Sequence, residues 1–226
     1  MYGVHMLNAQ AVTVGQAEVR TRVQVPLRFP DGFATQAEVH TFRGLVDGAE
    51  HLALGLGDWR TALRAGRLLL VRPHSECLTG DVFGSERCDC GPQLREAVER
   101  IAAVGGVLLY LRQEGRGIGL YAKLDAYELQ DAGLDTYEAN RALGRDDDER
   151  DYAAAAQMLE ALGIARIDLL SNNPDKAAQL ERYGVEVAHR TPTGVHLSAV
   201  NGRYLQAKVG ATAHTMTLPV RLPRAV

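Results

Sequence analysis

The second half of the chain alternates between short apolar segments and helical segments, and this alternation limits the possible folds more than any other feature. Apolar strands are predicted at residues 107–111, 164–170 and 185–188. Apolar residues at helical spacing, each followed by glycine, predict helices at residues 94–102, 120–132, 151–162 and between Pro174 and Gly184. Asn173 can cap the last of these helices. Strands that alternate with helices predict an α/β layer.

The first third of the chain has a different pattern. Residues 24–72 alternate between apolar and polar positions, and turns at 30–32 and 46–48 separate strands at 33–42, 51–56 and 67–71. These strands are predicted to be antiparallel. The expected fold is therefore one α/β (α+β) domain, a mixed sheet with a β-rich N-terminal third and helices packed around it. We assign this domain to residues 24–190, with an N-terminal extension at 1–23 that is mobile or a partly ordered strand, and a mobile C-terminal tail at 191–226.

Composition narrows the functional classes. The 226 residues are 46% hydrophobic and 23% charged, which excludes intrinsic disorder and a coiled-coil rod. The net charge of −3 argues against non-specific nucleic-acid binding, although a few local arginines can still hold one small anion. No apolar run approaches the roughly 18 residues that span a bilayer, and residues 1–23 do not resemble a secretory signal, so we expect a cytoplasmic protein.

Cys77, Cys88 and Cys90 are the three cysteines of the chain. An odd number within a short stretch argues against a disulfide framework and leaves a metal site or three buried core cysteines. Polar flanking residues favour the metal site. Three sulfurs around Zn²⁺ leave a fourth position open for water, as a catalytic zinc requires, whereas a structural site needs a fourth ligand, for which His74 is the near candidate.

Two strand-to-helix turns carry polar and basic residues. The first, at residues 112–119, contains Arg112, Arg116 and three glycines, and its backbone N–H groups can meet an anion; the alternative is a plain connection. It matches neither a Walker A loop nor the dinucleotide fingerprint. The second turn, at residues 171–176, can open on the same edge of the sheet, where α/β folds bind ligands.

Two further features have ordinary structural explanations. The charged run at residues 145–151 precedes a helix, and a solvated face is the default interpretation of such a run. Tyr127 shares a helix face with Leu120 and Leu124, which is also the position of a core or half-buried tyrosine. Neither pattern alone identifies a catalytic residue.

Seven motifs together resemble one family. They read Ser-Glu-Cys-Leu-Thr-Gly-Asp at 75–81, Arg-Cys-Asp-Cys-Gly-Pro-Gln-Leu at 87–94, Arg-Gln-Glu-Gly-Arg at 112–116, Ala-Tyr-Glu-Leu-Gln at 126–130, Asp-Thr-Tyr-Glu-Ala-Asn at 135–140, Asp-Glu-Arg-Asp-Tyr at 148–152 and Asn-Asn-Pro at 172–174. In this order, over about residues 24–190, they look like GTP cyclohydrolase II. That family catalyses the entry step of riboflavin biosynthesis, in which GTP loses C8 as formate and also loses pyrophosphate to leave 2,5-diamino-6-(ribosylamino)-pyrimidinone 5′-phosphate.

The resemblance also implies cofactors, an assembly and site residues. It implies zinc at Cys77, Cys88 and Cys90, magnesium on the triphosphate, and a homodimer. It implies that Tyr127 is the active-site tyrosine, Asp148 the proton acceptor and Arg150 the nucleophile, although a phosphate clamp is the easier role for a guanidinium group, which stays protonated in proteins. The implied GTP contacts are Arg72, Gln93, Glu114, Arg116, Thr136, Ser171 and Lys176.

Two alternatives stay open from the sequence. One is a paralogue that makes a formamidopyrimidine or another ring-opened nucleotide for secondary metabolism. The other is a catalytically silent nucleotide sensor with a structural zinc. The tail after residue 203 departs from the family pattern, because Tyr204-Leu205-Gln206-Ala207-Lys208 has no threonine before its lysine, so the sequence does not predict how the C-terminal segment meets the substrate. We expect no fused dihydroxybutanone phosphate synthase domain, because these 226 residues are too few to include one.

Overall fold

The computed structural model describes residues 12, 14–198, 200–202 and 205. One seven-stranded mixed sheet organises them. Its strands are β1 (Glu18–Arg28), β2 (Ala34–Arg43), β3 (Leu52–Leu56), β4 (Leu69–Ser75), β5 (Gly106–Leu111), β6 (Arg166–Leu170) and β7 (Glu186–Thr191). The α-helices are α1 (Trp59–Arg64), α2 (Leu78–Asp81), α3 (Cys90–Val104), α4 (Leu120–Asp131), α5 (Thr136–Ala142), α6 (Ala153–Ala161) and α7 (Pro174–Arg182). The predicted single α/β domain with a mixed sheet is confirmed.

The sheet combines an antiparallel half with a parallel half in the order β1-β2-β3-β5-β4-β6-β7. β1, β2, β3 and β5 pair antiparallel, while β5, β4, β6 and β7 pair parallel. The prediction that residues 67–71 belong to the antiparallel half is wrong, because β4 runs parallel to both of its neighbours. The reason is α3, which carries the chain back across the sheet so that β5 starts from the same end as β4.

Alternate residues of the central strands face opposite sides of the sheet. Leu70 and Leu108 pack with Ile101 of α3, whereas Val71 and Leu109 belong to the core that contains α6. This is the two-residue period of a strand with helices on both faces. Burial on both faces also explains why these central strands are almost uniformly apolar.

Several boundaries differ from the predicted ones. β1 begins at Glu18, inside the segment predicted as an N-terminal extension, and pairs along its length with β2. Helices α1, α2 and α5 were not predicted, because none of them is long enough to show an apolar period; α5 depends on a capping box between Asp135 and Glu138. Residues 206–226 of the predicted mobile tail lie outside the described residues. No helix in the described part of the chain has the length and apolar character to cross a membrane.

Candidate active site

The predicted functional residues meet at one edge of the sheet. β4, β5 and β6 are parallel, so their carboxyl ends, Ser75, Leu111 and Leu170, lie at the same edge, and a polar loop follows each of them. One cavity opens there, as expected for the carboxyl edge of an α/β sheet. Its wall includes Arg72, His74, Cys77, Cys88, Cys90, Gln93, Glu114, Arg116, Lys123, Tyr127, Thr136, Arg150, Ser171, Asn172, Lys176 and Thr193.

The three cysteines form one cluster. Cys77 precedes α2, Cys88 lies in the following loop and Cys90 is the first residue of α3. The Sγ atoms of Cys77 and Cys88 are 3.7 Å apart, and all three sulfurs lie within 4.8 Å of one another. Tetrahedral zinc with Zn–S bonds of about 2.3 Å holds its sulfurs about 3.8 Å apart. The donor set and its spacing therefore fit zinc, and the alternative of three unrelated core cysteines does not account for this convergence.

Close backbone packing brings the sulfurs together. A Cβ on Gly80 would lie 2.9 Å from the Cys88 sulfur and 3.1 Å from the Cys77 sulfur, and a Cβ on Gly91 would lie 2.4 Å from the carbonyl oxygen of Gly80. Both contacts are shorter than van der Waals distance, so α2 can approach α3 this closely only with glycine at the two positions. The glycines of the motifs at 75–81 and 87–94 thus have a direct role in the cluster.

His74, the candidate fourth ligand, lies outside the sulfur cluster. Its Nε2 is 3.1 Å from Asp81 Oδ2, and the same carboxylate accepts hydrogen bonds from the Tyr110 hydroxyl at 2.9 Å and from the Cys77 backbone N–H at 3.0 Å. Burial lowers the pKa of His74. Asp81 therefore fixes the Cys77 loop against β4 and β5, and the described residues provide three sulfur ligands without a fourth.

The three thiols differ in their protonation. Hydrogen bonds from Cys88 and Cys90, together with the Lys123 ammonium group, hold the pKa of Cys77 well below its ordinary value. The Cys77 sulfur in turn raises the pKa of Cys88 to about 11 and that of Cys90 well above its ordinary value. One thiolate is thus stabilised between two thiols. All three thiols would ionise when a dication binds, because metal ligation requires the deprotonated sulfur.

Lys123 connects the sulfur cluster to the glycine-rich turn, and it is not among the site residues predicted from the sequence. Its Nζ donates hydrogen bonds to Cys77 Sγ at 3.1 Å, Thr79 Oγ1 at 2.9 Å and Glu114 Oε1 at 2.9 Å. Burial alone would lower the pKa of Lys123, but its bonds to Glu114 and Cys77 outweigh burial and raise it above the ordinary value. The group is a buried ammonium ion between two acidic partners.

The glycine-rich turn joins β5 to α4, as predicted. Glu114–Gly117 is a short 3₁₀ turn in which Arg116 has a left-handed φ of 62°. The Arg116 carbonyl accepts a hydrogen bond from the Glu149 N–H at 2.9 Å, and a Cβ on Gly117 would lie 3.0 Å from Glu149. The charged run at 145–151 is therefore packed on this turn and is not only a solvated face. Arg112 does not line the cavity; it pairs with Glu76 at 2.7 Å.

Asp148 and Arg150 form a two-point ion pair. Arg150 Nε donates to Asp148 Oδ1 at 2.7 Å, and Nη2 donates to Oδ2. Burial would raise the pKa of Asp148, but the hydrogen bonds from Arg150 hold it below its ordinary value. Arg150 lines the cavity, while Asp148 reaches the site through Arg150. The pair keeps the guanidinium charged and its plane fixed.

The predicted GTP contacts are mostly buried and already hydrogen-bonded. Arg72 Nη2 donates to Gln93 Oε1 at 2.9 Å, and Gln93 Nε2 donates to Asp89 Oδ2 at 2.6 Å. Burial lowers the pKa of Arg72. Lys176 Nζ donates to the Pro73 carbonyl at 2.8 Å. Arg72, Gln93, Glu114, Arg116, Thr136, Ser171 and Lys176 all line the cavity.

Tyr127 lies one helical turn after Lys123 on α4. The Arg87 guanidinium is 4.8 Å from the Tyr127 ring centroid, and Lys123 Nζ is 5.7 Å from it. Burial raises the pKa of Tyr127, so its phenol is protonated and can donate a hydrogen bond at neutral pH. The residue is half-buried on the cavity wall, which fits the packing role and the active-site role that the sequence left open.

Comparison with known proteins agrees with this geometry. A family model described as GTP cyclohydrolase II matches residues 18–192. The chain belongs to the GTP cyclohydrolase II family. It is 52% identical over 200 residues to GTP cyclohydrolase-2 of Vibrio parahaemolyticus, covering 88% of this chain and 98% of that protein. It is 49% identical over 202 residues to GTP cyclohydrolase-2 of Vibrio cholerae, covering 89% of this chain and all of that protein.

A relative of different length matches as well. The riboflavin biosynthesis protein RibBA of Bacillus subtilis is 50% identical over 194 residues, which cover 85% of this chain and 48% of that protein. The resemblance inferred from the seven motifs is thus confirmed.

Lys123 and Thr193 belong to the GTP cyclohydrolase II cavity but are not among the site residues predicted from the sequence. Lys123 had a usable signal, because it lies four residues before Tyr127 on the same helix and must share its face. Thr193 had no such sequence signal, because it follows the predicted domain boundary at residue 190. Its Oγ1 and carbonyl oxygen accept hydrogen bonds from Asn172 Nδ2 at 2.9 and 3.1 Å, and this brings Thr193 onto the cavity wall.

Proposed function

We propose that this chain converts GTP to 2,5-diamino-6-(5-phospho-ribosylamino)pyrimidin-4(3H)-one, formate and pyrophosphate, the first step of riboflavin biosynthesis. The observation that carries the proposal is that a three-sulfur cluster with zinc spacing shares one cavity with Arg116, Arg150 and Lys176. Ring opening needs a hydrolytic metal, and a triphosphate needs cations. Because ring opening and pyrophosphate release act on the same nucleotide, the metal ligands and the cationic side chains must lie in one site.

Glu114 and Gln93 are proposed to recognise guanine. The Glu114 carboxylate accepts from the Leu78 N–H at 2.6 Å, the Gly115 N–H at 2.9 Å and Lys123. A carboxylate has about four acceptor positions, so one remains for the guanine ring N–H or amino group. The Gln93 amide also retains a donor for the carbonyl oxygen. Fixed partners orient both groups before substrate binds.

The reacting carbon is C8 of the purine, and water must cleave both of its bonds to nitrogen. Zinc on Cys77, Cys88 and Cys90 would supply a Lewis acid that activates water for this attack. Tyr127 is proposed to donate a hydrogen bond to the charge that develops on the opening ring, since its phenol is protonated at neutral pH. Asp148 is proposed as a proton acceptor that acts through its two-point pair with Arg150, because its carboxylate is ionised and does not itself line the cavity.

The triphosphate is proposed to lie against Arg116, Arg150 and Lys176. Arg72, Thr136 and Ser171 complete the predicted contacts with GTP. Magnesium would accompany the phosphate oxygens, because it prefers oxygen ligands to the three sulfurs. We assign Arg150 as a clamp on the transferring phosphate rather than as a nucleophile, since the two-point pair with Asp148 favours its charged form.

A single-turnover assay tests this function directly. Enzyme in excess over GTP should release formate and pyrophosphate in equal amounts, with about one zinc per chain. Release of formate without pyrophosphate, or a formamidopyrimidine as the final product, would contradict the proposed reaction. Active enzyme without zinc would contradict the metal assignment. The proposed homodimer is tested separately, by sedimentation of the purified chain.

A further inference from the structure

Lysine is scarce in this chain, and its placement is unusual. Three of the 25 basic residues counted as Lys or Arg are lysines, at positions 123, 176 and 208. Lys208 lies outside the described residues, while Lys123 and Lys176 are both buried, 8% and 5% exposed, on the wall of the same cavity. Arginine supplies the positive charge of the described surface and also lines this cavity, at Arg72, Arg116 and Arg150. Lysine, a compact charge on a flexible stem, occurs among the described residues at these two buried positions only.

The surroundings of Lys123 engage its whole hydrogen-bonding capacity. An ammonium group has three N–H donors, and Nζ lies 2.9–3.1 Å from three acceptors, Cys77 Sγ, Thr79 Oγ1 and Glu114 Oε1. No donor is left for a phosphate oxygen. These three acceptors come from the cysteine loop and from the glycine-rich turn, so one side chain ties a sulfur of the cluster to a carboxylate of the nucleotide site.

The positive charge of Lys123 can compensate the negative charge of a zinc-loaded cysteine cluster. Three thiolates and one zinc ion have a net charge of −1, which is costly to bury without compensation. The Lys123 ammonium at 3.1 Å from Cys77 Sγ supplies the opposite charge. The same cation forms an ion pair with the Glu114 carboxylate, 2.9 Å away.

We propose that Lys123 is a positioning residue of the reaction, which neutralises the zinc–thiolate cluster and aligns the Glu114 carboxylate with it. It touches neither substrate nor metal, and it acts through Cys77 and Glu114. The inference rests on the proposed function, because it assigns zinc to the cysteines and guanine to Glu114. It adds a coupling: loss of one buried charge weakens metal binding and nucleotide binding together.

Zinc affinity is the first test, measured by competition with a chromophoric chelator on folded protein. Lys123→Met should bind zinc about 10–100-fold more weakly, as is typical when a partner of a metal ligand is removed. Lys176→Met removes the other buried lysine, whose Nζ bonds to the Pro73 carbonyl, and should bind zinc like the wild type. Equal zinc affinity of Lys123→Met and the wild type would overturn the inference, as would an equal loss in both variants.

Cobalt substitution gives a second measurement that does not depend on activity. A hydrogen bond to a thiolate stabilises its lone pairs and raises the energy of the sulfur-to-cobalt charge-transfer band. Without that bond, the band of Co²⁺-loaded Lys123→Met should move to longer wavelength, while Lys176→Met keeps the wild-type spectrum. An unchanged band in Lys123→Met means that Lys123 does not bond to a metal-bound sulfur, and it overturns the inference.

Lys123→Arg decides the question if the methionine variant does not fold. Arginine keeps the charge, but its planar donors cannot reach all three acceptors, so we expect zinc to be retained while KM for GTP rises as Glu114 loses its alignment. Wild-type KM and kcat in Lys123→Arg would contradict the proposal. Wild-type enzyme that holds no zinc or releases no formate would instead contradict the proposed function, so the two failures are distinguishable.

Discussion

At the scale of single residues, the cavity is built from pairs in which each side chain fixes the protonation of the other. Arg150 keeps Asp148 ionised, and Cys88 and Cys90, together with Lys123, do the same for Cys77. Groups held in this way need little reorganisation when substrate binds, and this is the condition under which fixed dipoles stabilise a developing charge. Two predictions belong to this scale.

Tyr127→Phe should lower kcat for formate release by about 10²-fold, the usual effect of removing one preorganised donor. The phenol is protonated and half-buried on the cavity wall, and phenylalanine keeps the ring packing beside Arg87. Circular dichroism and zinc content should match the wild type. If turnover is also unchanged, Tyr127 is a packing residue.

Parallel measurement of the two products separates the sulfur cluster from the cationic groups. Cys88→Ser should lose zinc and formate release while keeping some pyrophosphate release, which yields GMP. Arg150→Ala should lose pyrophosphate release. If phosphate binding positions C8, formate release falls in Arg150→Ala as well, because positioning is worth about 7–11 kcal/mol in well-oriented reactions. Equal loss of both products in Cys88→Ser with zinc still bound would contradict two separate centres.

At the scale of secondary-structure elements, α3 supports two parts of the site. Its first residue is Cys90, and two turns later Glu96 holds the segment that follows β7. Glu96 accepts hydrogen bonds from the Gly194 N–H at 2.9 Å and from His196 Nε2 at 2.8 Å, and Arg100 donates to both Glu96 and the Pro192 carbonyl at 2.8 Å. These bonds, together with Asn172, keep Thr193 on the cavity wall.

Glu96→Ala should release this segment without disturbing the cysteine cluster. We expect faster amide hydrogen exchange at residues 193–198 and a KM for GTP raised about fivefold, the equivalent of one net hydrogen bond of about 1 kcal/mol. Glu99→Ala on the same helix is the matched control, because Glu99 pairs with Arg95 away from the segment. Unchanged exchange in Glu96→Ala would show that Asn172 and Arg100 hold Thr193 without Glu96.

At the scale of the whole molecule, two buried histidines make stability depend on pH. Burial lowers the pKa of both His40 and His74. The His40 ring packs edge-on against Trp59, with the ring centroids 5.6 Å apart. Below the ordinary value of 6.5, the unfolded chain takes up protons that the folded chain does not bind. The free energy of unfolding therefore falls as pH decreases from 6.5 toward the folded-state pKa, by at most about 1.4 kcal/mol per pH unit for each histidine.

His40→Gln removes one of these two groups. The difference in urea midpoint between pH 7 and pH 5.5 should shrink in the variant, while the remaining effect of His74 keeps the same sign. The comparison is made within each protein, so a uniform loss of stability from the substitution does not affect it. A wild-type pH difference retained in full by His40→Gln would mean that His40 is not neutral in the folded chain.

The sequence determined the elements and the set of functional residue types. Apart from α5, the strands and helices between residues 94 and 188 follow from the apolar period and from glycine stops, because these are local properties of the backbone and of amphipathic burial. The three cysteines, the two polar turns and the family resemblance likewise come from residue order. Each of these signals lies within a short stretch of chain.

Only the tertiary structure decided which of these stretches meet. β4 is parallel to β5 and β6 because α3 packs across the sheet, and that single fact brings the ends of three strands, and thus both turns and the cysteines, to one edge. The contact of Lys123 with Cys77 joins residues 46 positions apart, and that of Gly194 with Glu96 joins residues 98 apart. Such pairs have no local sequence signal, since their contact depends on how separate helices pack on the sheet and not on the residues beside them.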